Sequence, residues 1–248
     1  MVTDTGKSQP SKSPVLAVDF HSHILPNMDD GAQSIGMSVA MLRRLSSQGV
    51  RTVYATPHFR AHRTTVEQFL SKRLDCANTL GSGLSGSDIP RIALGAEIAI
   101  EQGLCEIQGL ESLTMGKAPF LLLEYPYKPY KRWMTEEVEE IAYRTGMTPI
   151  IAHIDRYAGV FSDRDYADIL KLRPAIFQIN NDAFLSRRAK RLLRILLDGG
   201  YPLILGSDCH NMENRAPNFD IPLRAMGAYS PTGGADKLIR YSLRHTGA

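Results

Sequence analysis

Seven short apolar runs divide this chain, and six of them lead into an acid or a histidine. They cover residues 15–20, 50–55, 91–97, 119–124, 148–153, 175–180 and 202–206. Each is rich in branched or aromatic side chains and bounded by turn residues, the pattern of a buried strand. Helical patterns fill the gaps. Ser34 is placed to cap a helix carrying Met37, Met41, Leu42 and Leu45 and stopped by Gly49. Val66, Phe69, Leu70, Leu74 and Ala77 mark a second, ending in the Gly/Ser-rich residues 81–87, expected to be the loosest part of the fold. Further helices are expected over 131–144 and 163–171, and from a Ser186 cap through Leu192, Leu193, Leu196 and Leu197, with helical material closing the chain.

Strands alternating with helices predict parallel β/α units joined by right-handed crossovers. Such a sheet can stay open or close. The polar residues decide, because an open sheet would scatter its strand-end acids and histidines along a line. A barrel gathers them at one mouth, where barrel enzymes keep their active sites. The expectation is an α/β protein with a single domain, a seven-stranded (β/α)7 barrel over residues 14–248 behind a flexible polar tail, 1–13.

At 248 residues the chain is long enough for one large core, and 43% hydrophobic with 22% charged residues is an ordinary soluble composition. A formal charge of +3 gives no argument for nucleic acid or a membrane surface, yet does not repel an anionic substrate. Cys76, Cys105 and Cys209 are odd in number and far apart, which fits a reducing compartment. The tail lacks the apolar core of a signal peptide and no run of eighteen apolar residues occurs, so a cytoplasmic protein without membrane insertion is expected. The oligomeric state is left open.

His21 and His23 lie two apart at the end of the first run, so an extended chain points both to one side. Pro26, Asp29, Asp30 and Gly31 form a turn that can swing a carboxylate back over them. With His58, Glu97, Glu124, His153, Asp208 and His210, these make a nine-residue candidate set: His21, His23, Asp30, His58, Glu97, Glu124, His153, Asp208 and His210. One strand-end histidine is more often structural than a ligand. Five, together with four carboxylates, are not explained that way, since unpartnered buried acids and imidazoles are costly. Metal ions are the economical partner. Nine ligands suit two or three ions, and imidazole with carboxylate but no thiolate points to Mn²⁺, Fe²⁺ or Zn²⁺. Three divalent ions carry two more positive charges than four carboxylates offset, which suits a phosphate dianion or a metal-bound hydroxide. Clustered ions lower the pKa of bound water towards ~7 and clamp attacking and leaving oxygens, the chemistry of hydrolytic phosphoryl transfer.

Arg156 and Arg215 leave strand ends towards the same mouth, and each reads either as a phosphate-gripping guanidinium or as a surface charge. The loop over residues 125–133, beginning at Tyr125, either packs a substrate's ring or buries its own aromatics. Cys209 to Arg215 matches the Cys-x5-Arg spacing of thiol phosphatases, but the stretch has no glycine for a phosphate cradle and carries Glu213. A thiol mechanism is set aside.

Six motifs follow one another in register: Asp-x-His-Ser-His-Ile-Leu-Pro with Asp-Asp-Gly-Ala, Thr-Pro-His, Gly-Ala-Glu, Leu-Leu-Leu-Glu-x-Pro, Ile-Ala-His-x-x-Arg-Tyr and Ser-Asp-x-His-Asn. Together, from about Val15 to Arg215, they resemble the metal-dependent tyrosine phosphatases of bacterial capsule and exopolysaccharide synthesis, within the polymerase and histidinol phosphatase (PHP) superfamily. The resemblance implies a distorted PHP-type (β/α)7 barrel and a trinuclear, usually manganese-containing site. It also implies dephosphorylation of the phosphotyrosine tail of a cognate autokinase of polysaccharide export. All nine family ligand positions are filled, as are the two phosphate-binding positions, Arg156 and Arg215. The sequence departs at Asn27-Met28, where a glycine is common, and at Ile154-Asp155, where Pro-Glu is usual. Two other readings stand beside this one: a small-molecule phosphatase, such as one for histidinol phosphate, with a deeper pocket, and a non-catalytic metal-binding regulator. A shallow mouth would select phosphotyrosine over phosphoserine by reach, with Arg60 and Tyr125 as rim residues contacting substrate.

Overall fold

The seven apolar runs become one closed ring in which two members are broken. The computed structural model describes residues 18–84 and 88–229; the tail 1–13, the start of the first strand, residues 85–87 and everything after 229 lie outside them. The segments are β1 (Val18–Ser22), β2 (Thr52–Ala55), β3 (His58–Phe59), β4 (Arg91–Leu94), β5 (Glu97–Ala99), β6 (Phe120–Glu124), β7 (Thr148–Ile151), β8 (Ile176–Asn180) and β9 (Leu203–Gly206). They pair in parallel as β1-β2-β4 and β3-β5-β6-β7-β8-β9. The strand begun by the second run is interrupted at Thr56-Pro57, where proline lacks the N–H a ladder needs, and the third run is interrupted at Gly95-Ala96. Backbone bonds carry across the breaks, with Thr56 N–H donating to Ser22 at 2.8 Å and Glu97 N–H to Pro57 at 3.0 Å. The ring closes where Asp208 N–H donates to His21 O (2.8 Å) and His23 N–H to Cys209 O (2.9 Å). The expected barrel is present, with nine segments standing for seven runs.

Helices α1 (Ile35–Ser47), α2 (Val66–Gly83), α3 (Arg132–Thr145), α4 (Asp163–Ile169), α5 (Lys190–Asp198) and α6 (Asp220–Tyr229) accompany the strands. Ser34 caps α1 as expected, accepting from Met37 N–H at 3.2 Å. Thr65 and Gln68 form a reciprocal capping box on α2. Three expectations need correction. Helix α2 runs through Gly83, so the Gly/Ser-rich stretch starts as helix. Leu74 is 54% exposed while Arg73 is buried, its guanidinium donating to Gly95 O at 2.6 Å. Ser186 does not cap α5; its hydroxyl accepts from Ala189 N–H at 3.2 Å in a turn, and the helix begins at Lys190.

Two apolar layers hold the ring. The larger packs outward-facing strand residues such as Leu121, Leu123, Phe177 and Leu205 against helix residues such as Leu42, Val138 and Leu193. The smaller contains Val18, Phe20, Tyr54, Met115, Leu122, Ile150, Ile176 and Ile204 and no helix residue, so it fills the barrel's inside. Strand alternation then carries each inner column upward to a polar end: Leu122 to Glu124, Ile176 to Gln178, and Ile204 to Asp208.

Candidate metal centre

At the top of this column β1 has to change parity. Val18 and Phe20 point into the barrel, so plain alternation would send His21 outward. A register shift between Asp19 and Ser22 reverses this, and both imidazoles face the mouth. The following turn folds back so tightly that a Cβ on Gly31 would lie 2.2 Å from His23 O. Asn27 takes φ +56° in that turn, a conformation asparagine tolerates better than other side chains, which accounts for its place where glycine is common. His153 (φ +27°) and Asp208 (φ +51°) are also left-handed, a strain that recurs at functional sites.

All nine candidates come together. They form four overlapping groups whose ligand atoms lie within 4.8 Å of one another: His23, Asp30, His58 and His210; His21, His23 and Asp208; His21, Glu97 and His153; His58, Glu97 and Glu124. Among the described residues no other side chain enters a group. Glu97 is central, with Oε2 3.3 Å from His21 Nε2, 3.3 Å from His23 Nε2 and 2.9 Å from His58 Nδ1, and Oε1 2.8 Å from His153 Nε2. Asp30 reaches over the rim to His58 Nε2 at 3.2 Å and is the most exposed member.

The imidazoles are oriented from behind. His21 Nδ1 meets Gln178 Oε1 (3.0 Å), His23 Nδ1 meets Asp29 Oδ2 (2.7 Å), and His210 Nδ1 meets Asp208 O (2.9 Å). Each partner is an acceptor, so each Nδ1 carries the hydrogen and each Nε2 turns a lone pair inward. His21 Nε2 and His23 Nε2 then face each other at 3.2 Å, and His210 Nε2 is buried with no hydrogen-bond partner among the described residues. Acceptors converging on one point need a cation between them. The donor set fits divalent ions.

Without ions, protons take up that demand. Burial opposes charge on Glu97 and Asp208, but the imidazoles around them hold both carboxyls well below the usual range. Burial likewise opposes charge on His153, yet hydrogen bonds to Glu124 and Glu97 push it up to about 10; His23 is also raised well above its ordinary value. Burial and the His23 charge push His210 down to about 4. Arg156 Nη1 stands 3.4 Å from Glu124 Oε1, and Arg215 Nη2 donates to Asp208 Oδ2 at 2.7 Å, so both guanidiniums border the cluster.

A family model described as capsular polysaccharide synthesis, CpsB/CapC, matches residues 17–238. The chain belongs to this family. It is 30% identical over 207 residues to the tyrosine-protein phosphatase YwqE of Bacillus subtilis, covering 80% of this chain and 79% of that protein. It superposes with a TM-score of 0.74 and 26% identity on the crystal structures of YwqE from Bacillus subtilis and CpsB from Streptococcus pneumoniae, described as unique metal-dependent tyrosine phosphatases; 92% of this chain and 93% of that chain are covered. Histidinol phosphate phosphatase from Lactococcus lactis, solved with zinc, L-histidinol and phosphate, gives a TM-score of 0.53 at 15% identity over 87% of this chain and 92% of that one, a likeness of fold alone.

Several residues of this CpsB/CapC centre escaped the sequence reading. Asp29, not only Asp30, matters: it holds His23, and its carboxylate also accepts from His58 N–H (3.0 Å) and Gly31 N–H (2.9 Å). Gln178 Oε1 ties His21 to His153 N–H at 2.6 Å. Asp19 accepts from Ser207 Oγ at 2.6 Å and pins the two strands that close the ring. The signal for Asp19 was its place two residues before His21; Gln178 had none beyond falling on an inward column. Asp155, the second departure residue, accepts from Asn180 N–H at 2.8 Å, and burial pushes its carboxyl up to about 7.

Two cavities flank Arg156 and Tyr127. The larger, about 820 Å³, runs from Glu124 and Arg156 past Trp133 to Arg60 and His62; the other, about 460 Å³, holds Arg156, Arg188 and Arg215. Arg60 thus borders the mouth. Tyr125 is a correction: it lines the larger cavity yet is fully buried, its hydroxyl 2.9 Å from Thr135 Oγ1, because the loop folds its first ring inward. The ring turned to solvent is Tyr127, 63% exposed with Arg156 5.9 Å over its face. Cys209 is fully buried and burial drives its thiol well above the ordinary value, which removes the thiol nucleophile. Among the described residues, no helix is long and apolar enough to cross a membrane.

Proposed function

We propose that this chain is a metal-dependent protein-tyrosine phosphatase of capsular or exopolysaccharide synthesis, acting on phosphotyrosine of a cognate bacterial autokinase. The observation that carries the reading is the set of inward lone pairs, His21 Nε2 facing His23 Nε2 at 3.2 Å above the Glu97 and Asp208 carboxylates. His21, His23, Asp30, His58, Glu97, Glu124, His153, Asp208 and His210 are the proposed ligands of three divalent ions, manganese in the first place. Such ions supply Lewis acidity and lower the pKa of water towards ~7. The chain's own part is to hold and orient. Asp29 and Gln178 fix imidazole tautomers, and Glu97, within reach of four imidazoles, bridges the groups. Arg156 and Arg215 are placed to grip the phosphoryl oxygens, each through a fork of donors that matches them.

A mouth flanked by two cavities that share Arg156 and Tyr127 suits a phosphotyrosine, whose ring carries the phosphate clear of the protein body. The test is turnover of para-nitrophenyl phosphate and phosphotyrosine peptides by chelator-treated protein before and after Mn²⁺ is returned. Activity is expected to vanish and come back, with phosphoserine peptides poor. Activity that survives complete metal removal sinks the metal mechanism, and faster turnover of histidinol phosphate than of either substrate moves the assignment to a small-molecule phosphatase.

A further inference from the structure

The larger cavity has more room than one aryl phosphate fills, and its cations are unevenly used. At its inner end Glu124 and Arg156 belong to the centre already described. Farther out stand Arg60, Lys128 and Lys131, none in an ion pair among the described residues. Their neighbour Arg132 shows the contrast, lying 2.8 Å from Asp168 and 3.4 Å from both Glu136 and Glu139. The one acid of the outer wall, Glu101, is already held by His62 Nδ1 at 2.5 Å. Tyr127 and Trp133, the chain's only tryptophan, add aromatic surface between the two ends. A groove that leads out of a phosphate site with three unpaired cations is complementary to an acidic chain.

We propose that this cavity docks the polypeptide flanking the phosphotyrosine, and that Arg60, Lys128 and Lys131 select a segment with acidic residues beside it. The proposal rests on the phosphotyrosine reading and adds a sequence preference to it. An exposed charge pair shifts affinity by up to about fivefold, so the three together give a preference of about tenfold after screening.

The experiment uses the full metal-loaded chain and three phosphotyrosine peptides that differ only in their flanking residues: glutamate, glutamine or lysine. The expected order of kcat/KM is glutamate, glutamine, lysine, with about tenfold between the first two at low salt and a smaller gap as salt rises. In a Lys128→Glu/Lys131→Glu protein that order inverts. The ratio is read within each protein, so unequal metal loading cancels. Non-hydrolysable phosphonate versions of the peptides, titrated against Trp133 emission, report groove occupancy without turnover and follow the same order. Equal kcat/KM for the three peptides, or a glutamate preference that survives charge reversal, overturns the proposal while turnover of para-nitrophenyl phosphate leaves the phosphatase reading standing. Failure to turn over para-nitrophenyl phosphate and every peptide overturns that reading instead.

Discussion

The lower and upper halves of the barrel interior come from the same strands and hold opposite chemistry. Below, Phe20, Tyr54, Leu122, Ile150, Ile176 and Ile204 fill the ring with apolar volume and need only one another. Above, Glu97, Glu124, Asp208 and the five imidazoles are a short climb away on those columns and do not fully satisfy one another. On β6 the change takes two residues, from Leu122 to Glu124. The difference teaches where stability and function separate. Contact alone completes the plug; the mouth is complete only with cations or protons.

Substitution should break the halves in different ways. In the mouth, Asp208→Ala removes a buried carboxylate of the cluster and the partner of Arg215. Several kcal/mol of transition-state stabilisation go with it, or about a thousandfold in kcat/KM, with metal content falling in elemental analysis. Full metal content in a folded but dead variant would reassign Asp208 to another role. In the plug, Leu122→Ala should cost about 2–5 kcal/mol of stability in denaturant unfolding, leaving metal stoichiometry unchanged. Metal loss there would mean the halves are not separable.

The last contrast is drawn through pH. His153 is raised to about 10 in the ion-free protein, against 6.5 for the ordinary group. A raised folded-state pKa contributes stability that is fully present below pH 6.5 and is lost as pH rises through about 10. The chelated protein should therefore lose on the order of 1 kcal/mol per pH unit between those values. The metal-loaded protein should lose little, because its ligands are already deprotonated. Thermal midpoints of the two forms across that range check this; parallel curves would show that protons do not stand in for ions.

Much of this was legible because it is local. Short apolar runs ending in acids and histidines and Ser34 before a helix each act within a few residues. The side-chain types of the cluster needed no coordinates, since five strand-end histidines and four strand-end or turn carboxylates have few other uses. Less legible was anything that depends on what lies opposite. Asp29 and Asp30 are neighbours with the same side chain, yet one is buried behind His23 and the other reaches over the rim. Tyr125 and Tyr127 divide the same way, inward and outward.

The sequence by itself determined the order of strands and helices, the closed parallel ring and the identity of nine converging side chains, because alternation and residue type are properties of the chain. Tertiary structure alone decided how those side chains aim. The register shift in β1, the left-handed backbones of His153 and Asp208, and the hold of Gln178 on His21 exist only when strands far apart in sequence meet. A backbone takes such strained or irregular geometry only where its surroundings over-determine it, and those surroundings are the rest of the fold.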